Sequence, residues 1–132
     1  MTEYVVDASA IVLAVVGKTE SASILRARML GMVRHAPHVI DAEVGNVLRR
    51  HEHAGLVSGR EADTALRVSG LLIDHRYPHV GALGQRAWAL RHNMSYYDAL
   101  YVALASHLHL PLLTGDARLS RVPGLPCRTE VV

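Results

Sequence analysis

"YVVDASAIV", residues 4–12, joins two apolar runs through one carboxylate, Asp7. Residues 3–6 have the β-branched and aromatic character of a short buried strand, and 8–16 (ASAIVLAVV) read as a helix. A strand that ends on an acid and passes directly into a helix reads as the start of an α/β unit. Burying an ionised carboxylate there without a partner costs several kcal/mol or forces it to take up a proton. Asp7 must therefore cap the helix, pair with another group or hold a cation.

The alternation continues along the chain. From Glu20 to His35, Ile24, Leu25, Met29, Met32 and Val33 recur at helical spacing, which predicts a helix through that segment. A brief apolar step, "HVI" at 38–40, leads into a helix over 42–54, and another spans 59–72, where Ser58 and Glu61 have capping-box spacing. "LLIDHRY" suggests a strand near 72–76, and helices follow over about 79–92 and 97–109. "LPLLTGD" reads as a buried strand ending in a turn, and "CRTEVV" as a last strand. Such alternation implies right-handed crossovers and a parallel sheet covered on both faces. The expected fold is α/β, one domain over 1–132, with about four to five short, mostly parallel strands between helical layers.

Composition agrees. Half of the 132 residues are hydrophobic and Phe is absent, so the core falls to Leu, Val, Ala and Ile. The formal charge is +2, and of the 14 basic residues only Lys18 is lysine. Arginine suits bidentate phosphate contacts, although a GC-rich genome explains the bias better. The single cysteine, Cys127, allows no intrachain disulfide and no cysteine-based zinc site. There is no signal-like amino terminus and no apolar run near the ~20 residues that cross a bilayer. The expectation is a soluble, cytoplasmic protein without a membrane partner.

Asp7, Glu43, Asp98 and Asp116 occupy comparable places: two follow strands, and two lie in the first turns of helices. Each alone has an ordinary explanation. An acid at a helix start accepts backbone N–H bonds and faces the positive end of the dipole. Asp41 reads as the better cap for its helix, and Asp116 fits a turn after Gly115. As a set they converge, because in open α/β folds sites lie beyond the carboxyl ends of the strands. Carboxylates so close repel one another unless a cation compensates them. An oxygen-only set favours Mg²⁺ or Mn²⁺ over zinc. Ser9 and Thr114 could orient these carboxylates or simply form local turns, and Asn46 lies one helical turn beyond Glu43.

"VVDASAIV", "DAEVGNVLRR", "YYDALYVALA" and "LPLLTGDARL", in that order, resemble the PIN-domain ribonucleases, specifically VapC-type toxins of bacterial toxin–antitoxin pairs. The likeness covers essentially the whole chain, although 55–80 carry no motif. It implies a PIN-like three-layer fold and an Mg²⁺- or Mn²⁺-dependent endoribonuclease. Asp7, Glu43, Asp98 and Asp116 match the family's acidic positions, Asp116 the more variable one. Ser9, Asn46 and Thr114 match its polar accessory positions. It also implies an RNA substrate, a VapB-type antitoxin and self-association into dimers. Arg49, Arg50, Arg118 and Arg121 are candidates to meet the RNA backbone. The stripe from Leu25 to Val33 is either a partner surface or, more simply, core.

Other features point elsewhere or nowhere. The pairs His51/His53 and His107/His109 point in different directions on a helix and suit no metal. Trp88, Tyr96 and Tyr97 fit core packing or base stacking, with core as the default. One competing reading is a phosphoacceptor receiver domain with Asp74 as acceptor, for which Lys18 is badly placed. Another keeps the fold but leaves the acids as helix caps in a silent binding module.

Overall fold

A computed structural model describes residues 2–132. β1 (Thr2–Val6) ends where Asp7 begins α1 (Ala8–Val16), as the opening stretch requires. Then come α2 (Glu20–Leu30), β2 (Met32–Pro37), α3 (Ile40–His53), α4 (Gly59–Leu72) and β3 (His75–Tyr77). The chain continues through α5 (Ala82–Trp88), α6 (Tyr96–Leu108), β4 (Leu112–Thr114), α7 (Ala117–Ser120) and β5 (Thr129–Val131). The Ser58/Glu61 capping box is present at the start of α4. The strands form one sheet in the order β3-β2-β1-β4-β5, and every pairing is parallel.

This order has a functional consequence. From β1 the chain steps outward to β2 and β3, then returns to place β4 on the other side of β1. The crossovers therefore diverge between β1 and β4, the position at which open α/β sheets form clefts. The register Val5↔Leu112 and Val6↔Leu113 brings Asp7 and Thr114 side by side at that point.

α1 packs with α2, α3 and α4, while α6 lies across β1, β2 and β4 with α5 against it. Val5, Val6, Leu112 and Leu113 are fully buried between these layers. α6 is buried without a break from Ala99 to Ala105, and its alanines let the sheet and α5 approach closely.

The 20–35 segment differs from its expected form. The helix stops at Leu30, and Met32–Pro37 is a strand. Leu25 and Met29 do face the core, so the stripe is internal packing there, while Ile24 and Leu30 are exposed. The apolar step at 38–40 is the turn into α3, which begins at Ile40 rather than 42. β2 hid because its central residues, Arg34 and His35, are charged or polar yet buried. Arg34 donates to the carbonyls of Leu72 and Met29 and pairs with Asp74. His35 is held between Tyr77 Oη and Glu3, each at 2.7 Å. The remaining boundaries shift modestly: β3 begins at His75, α5 is shorter than its expected span and α6 starts one residue earlier than expected.

Candidate active site

Asp7 is 8% exposed and does several of the things open to it at once. Its Oδ1 caps α1 by accepting from the Ala10 amide at 3.0 Å and also accepts from Ser9 Oγ at 2.6 Å. Its Oδ2 accepts from the Thr114 hydroxyl across the β1/β4 switch point. Ser9 Oγ in turn accepts from the Gly115 amide at 2.8 Å. A Cβ at position 115 would stand 3.2 Å from Ser9 Oγ, so glycine permits this approach. The Asp116 amide donates to Thr114 Oγ1 at 3.0 Å, completing a hydroxyl scaffold between the two strand ends.

Glu43, in the first turn of α3, accepts from Tyr101 Oη at 2.6 Å. Tyr101 lies on α6 three residues after Asp98, so one helix supplies an acid and a support for another. Sequence reasoning missed Tyr101. Its helical spacing from Asp98 was visible, but an apolar run hid it. Burial and the neighbouring Glu43 push the Tyr101 phenol well above its ordinary value, so it remains a donor. Ser95 caps α6, its hydroxyl oxygen accepting from the Asp98 amide at 3.1 Å. Asp116 accepts from the Arg118 amide at 2.9 Å, from Nε at 3.2 Å and from Nη2 at 3.0 Å.

Electrostatics shows that the acids share one cleft. Burial raises Asp7, Glu43 and Asp98 above ordinary carboxylate values. Each is raised further by other members of the set: Asp7 by Asp116, Glu43 by Asp98 and Asp7, and Asp98 by Asp116 and Asp7. Asp116 alone is lowered, because Arg118 holds it ionised. A bound cation would offset this accumulated negative charge, and the donors are all oxygen, which fits a hard divalent ion. Among the described residues no three acidic, imidazole or thiol groups yet close into a metal cage. The cleft is open, with Asp116 engaged by its own arginine.

The remaining candidates separate by position. Asn46 is exposed one turn along α3 from Glu43, and Arg49 and Arg50 lie a further turn out. Arg118 is at the cleft, while Arg121 ends α7 and is exposed. Asp41 is not the cap of α3: that position is Val39, without a side-chain bond. Asp41 instead accepts from Arg76 at 2.7 and 2.8 Å. Both partners are partly solvated, so Asp41→Asn should cost less than about 1 kcal/mol and leave RNA cleavage near that of the unaltered protein, as a melting curve and a cleavage assay would read. Asp74 lies at the amino end of β3, bonded to Arg34, and Lys18 pairs with Glu61 at 3.4 Å. Neither reaches the acids, which removes the receiver-domain reading. Trp88, Tyr96 and Tyr97 are exposed rather than core.

Comparison with known proteins bears out the resemblance. The PIN domain profile matches residues 4–125. Ribonuclease VapC1 of Mycobacterium tuberculosis (strain ATCC 25618 / H37Rv) is 51% identical over 132 residues, spanning 100% of this chain and 99% of the relative. The chain belongs to the PIN-domain family, among its VapC ribonucleases. Two solved structures share the fold of this VapC-family chain. VapBC2 from Rickettsia felis, bound to a DNA fragment from its promoter, has a TM-score of 0.71 at 13% identity and 99% coverage of both chains. Mycobacterium tuberculosis VapC20, a sarcin-ricin loop cleaving toxin, has a TM-score of 0.68 at 16% identity, covering 95% of this chain and 98% of that one. Divalent-metal dependence is general among PIN-domain ribonucleases.

Proposed function

We propose that this VapC-family chain is a toxin endoribonuclease that cuts RNA phosphodiester bonds with Mg²⁺ or Mn²⁺ in the Asp7–Glu43–Asp98–Asp116 cleft. The observation that carries the proposal is the convergence of these acids at the sheet's switch point, where Asp7, Asp98 and Asp116 each raise the proton affinity of another member of the set. Bound metal supplies positive charge that eases deprotonation of the attacking water and offsets charge gathering on the phosphate and leaving oxygen. Asp7 and Glu43 are the anchored ligands, fixed by Ser9 and Thr114 and by Tyr101. Asp98, half-buried at the cleft with its proton affinity raised, is placed to hold metal and to accept a proton from the water. Arg118 is the arginine positioned to leave Asp116 and meet a backbone phosphate.

Regulation is part of the same reading. The pairing in VapBC2 supports a VapB-type antitoxin as partner. Self-association into a dimer accompanies it in this proposal.

RNA cleavage by purified, antitoxin-free protein in Mg²⁺, in Mn²⁺ and in EDTA tests the function. Cutting confined to the metal-containing reactions is expected. Neither metal binding nor cutting would favour a silent binding module.

The raised acids also make a pH prediction. A carboxyl raised on folding contributes stability that is complete below its unfolded value, 3.8 for Asp and 4.5 for Glu, and is lost as pH rises through the folded value. Asp116 has the opposite sign: its contribution is present above the unfolded value and is lost as pH falls through the lowered folded one. In the cleft three raised groups stand against one lowered, while Glu61 and Glu130, lowered by Ser58 and by Arg28, act with the opposite sign elsewhere. It is therefore the cleft's own contribution to Tm of the metal-free protein that should fall as pH rises from about 4 toward neutrality. Mg²⁺ should flatten the slope, and so should Asp98→Asn. Identical slopes in all three samples would contradict this assignment.

A further inference from the structure

The aromatic residues expected in the core form an exposed shelf beside the acids. Trp88 is 55% exposed and Tyr97 57%. More than half the surface of each is left to water rather than to this chain's own packing. The shelf is nevertheless ordered. Trp88 and Tyr96 meet edge to face, with ring centres 6.4 Å apart. The Arg91 guanidinium lies over the Trp88 indole, 4.6 Å from its centre, and Nη1 donates to the Trp88 carbonyl at 2.9 Å. Among the described residues, no carboxylate pairs with Arg91. Gly84 fixes the far side. A Cβ there would run into the His79 carbonyl oxygen and stand 2.9 Å from Tyr96 Oη, so glycine lets the backbone before α5 close in and leaves room for that phenol.

The shelf is continuous with the cleft. Tyr96, Tyr97 and Asp98 are consecutive in the first turn of α6. Tyr97 also lies one helical turn before Tyr101, whose hydroxyl holds Glu43, so the two tyrosines share a helix stripe. Tyr97 thus sits on α6 between the acid that follows it in sequence and Tyr96, which meets Trp88 and, through it, Arg91.

Exposed aromatic faces with a stacked, uncompensated guanidinium match the chemistry of an unpaired nucleobase and its phosphate. Paired bases in an A-form duplex have their faces covered by neighbours and their edges in a groove that side chains do not read. We propose that Tyr97, Trp88 and Arg91 form a stacking subsite for an unpaired base of the RNA strand adjacent to the cut phosphate. The subsite selects single-stranded or looped RNA over duplex. It rests on the ribonuclease reading above and adds a determinant of which RNA is cut.

Trp88 is the only tryptophan, so its emission reports directly on the shelf. The test uses the full chain carrying Asp98→Asn in Mg²⁺, to prevent cutting, with a fluorescein-labelled RNA 12-mer as single strand and as duplex. Single strand should quench Trp88 to saturation and duplex should not. Fluorescence anisotropy should show Tyr97→Leu and Trp88→Leu each weakening single-strand binding about tenfold, with Tyr97→Phe restoring it. Both side chains are exposed, so unchanged melting curves should accompany these losses. Equal affinity for duplex, or unchanged affinity in both leucine variants, would overturn the subsite. So would a change of oligomeric state in place of RNA affinity. A parallel assay of the unaltered protein separates the two readings. If it cuts RNA while the shelf variants bind as tightly as their parent, only the subsite fails. If it neither cuts nor binds RNA, the ribonuclease reading fails and takes the subsite with it.

Discussion

Asp98→Asn should lower RNA cleavage on the order of a hundredfold or more while raising the melting temperature of the metal-free protein. Partners one shell removed from a metal typically account for about 10–100-fold in activity, so an acid placed to touch the ion should account for at least that. The stability gain has a separate origin. Burial, Asp116 and Asp7 all disfavour the Asp98 charge in the folded chain, and an amide removes that cost. The group is half-solvated, so screening limits the gain to roughly 1–3 °C. Asp116→Asn is the informative contrast, because it removes the partner of Arg118 and should not stabilise. Calorimetry beside a cleavage assay reads both effects. An Asp98→Asn protein that cuts RNA normally would remove the acid from the site.

Arg34→Met carries the largest expected effect on stability. Arg34 is 9% exposed in the second strand of the sheet. Its guanidinium serves the carbonyls ending α2 and α4 and pairs with Asp74 at 3.3 Å. Methionine fills much of the volume but leaves both carbonyls without their donor. Removing one partner of a buried pair typically costs 3–5 kcal/mol, and partial solvation of Asp74 favours the lower end. A loss of about 3 kcal/mol corresponds to a Tm roughly 10 °C lower for a domain of this size. Arg34→Lys should recover less than half, since a single ammonium cannot span the carbonyls and the carboxylate. Cleavage per folded molecule at low temperature should be unchanged, because Arg34 lies away from the carboxyl edge. A melting point within 2–3 °C of the parent would show that water replaces the guanidinium at little cost.

These residues also explain what was legible in the sequence. Asp7 and Asp116 stood out because each interrupts an apolar strand at its end, and Glu43 and Asp98 because each opens a helix on the same edge. Periodicity sees such boundaries. β2 escaped because a strand buried on both faces normally reads as continuously apolar. Here Arg34 and His35 are buried by virtue of partners in α2, α4, β3 and β1, and no local pattern encodes partners so distant. With two polar residues at its centre, the run from Met29 to Val33 was absorbed into the preceding helix. Trp88, Tyr96 and Tyr97 failed in the opposite direction. Large rings are core by default, and their exposure depends on how α5 lies against α6, a meeting of elements that no local pattern encodes. Tyr101 shows the same limit, since its value to Glu43 arises only when α3 and α6 meet.

The bond from Thr114 to Asp7 spans 107 positions of the chain. During synthesis, the first strand and its acid emerge long before Thr114, the partner that steadies them; Asp98 precedes that partner and Asp116 follows it. A ribosome-bound fragment lacking the final two strands holds fewer than the four acids and has no switch point at which to gather them. An enzyme that attacks its host's RNA is thus inert for most of its own translation. Harm becomes possible only as the product nears completion.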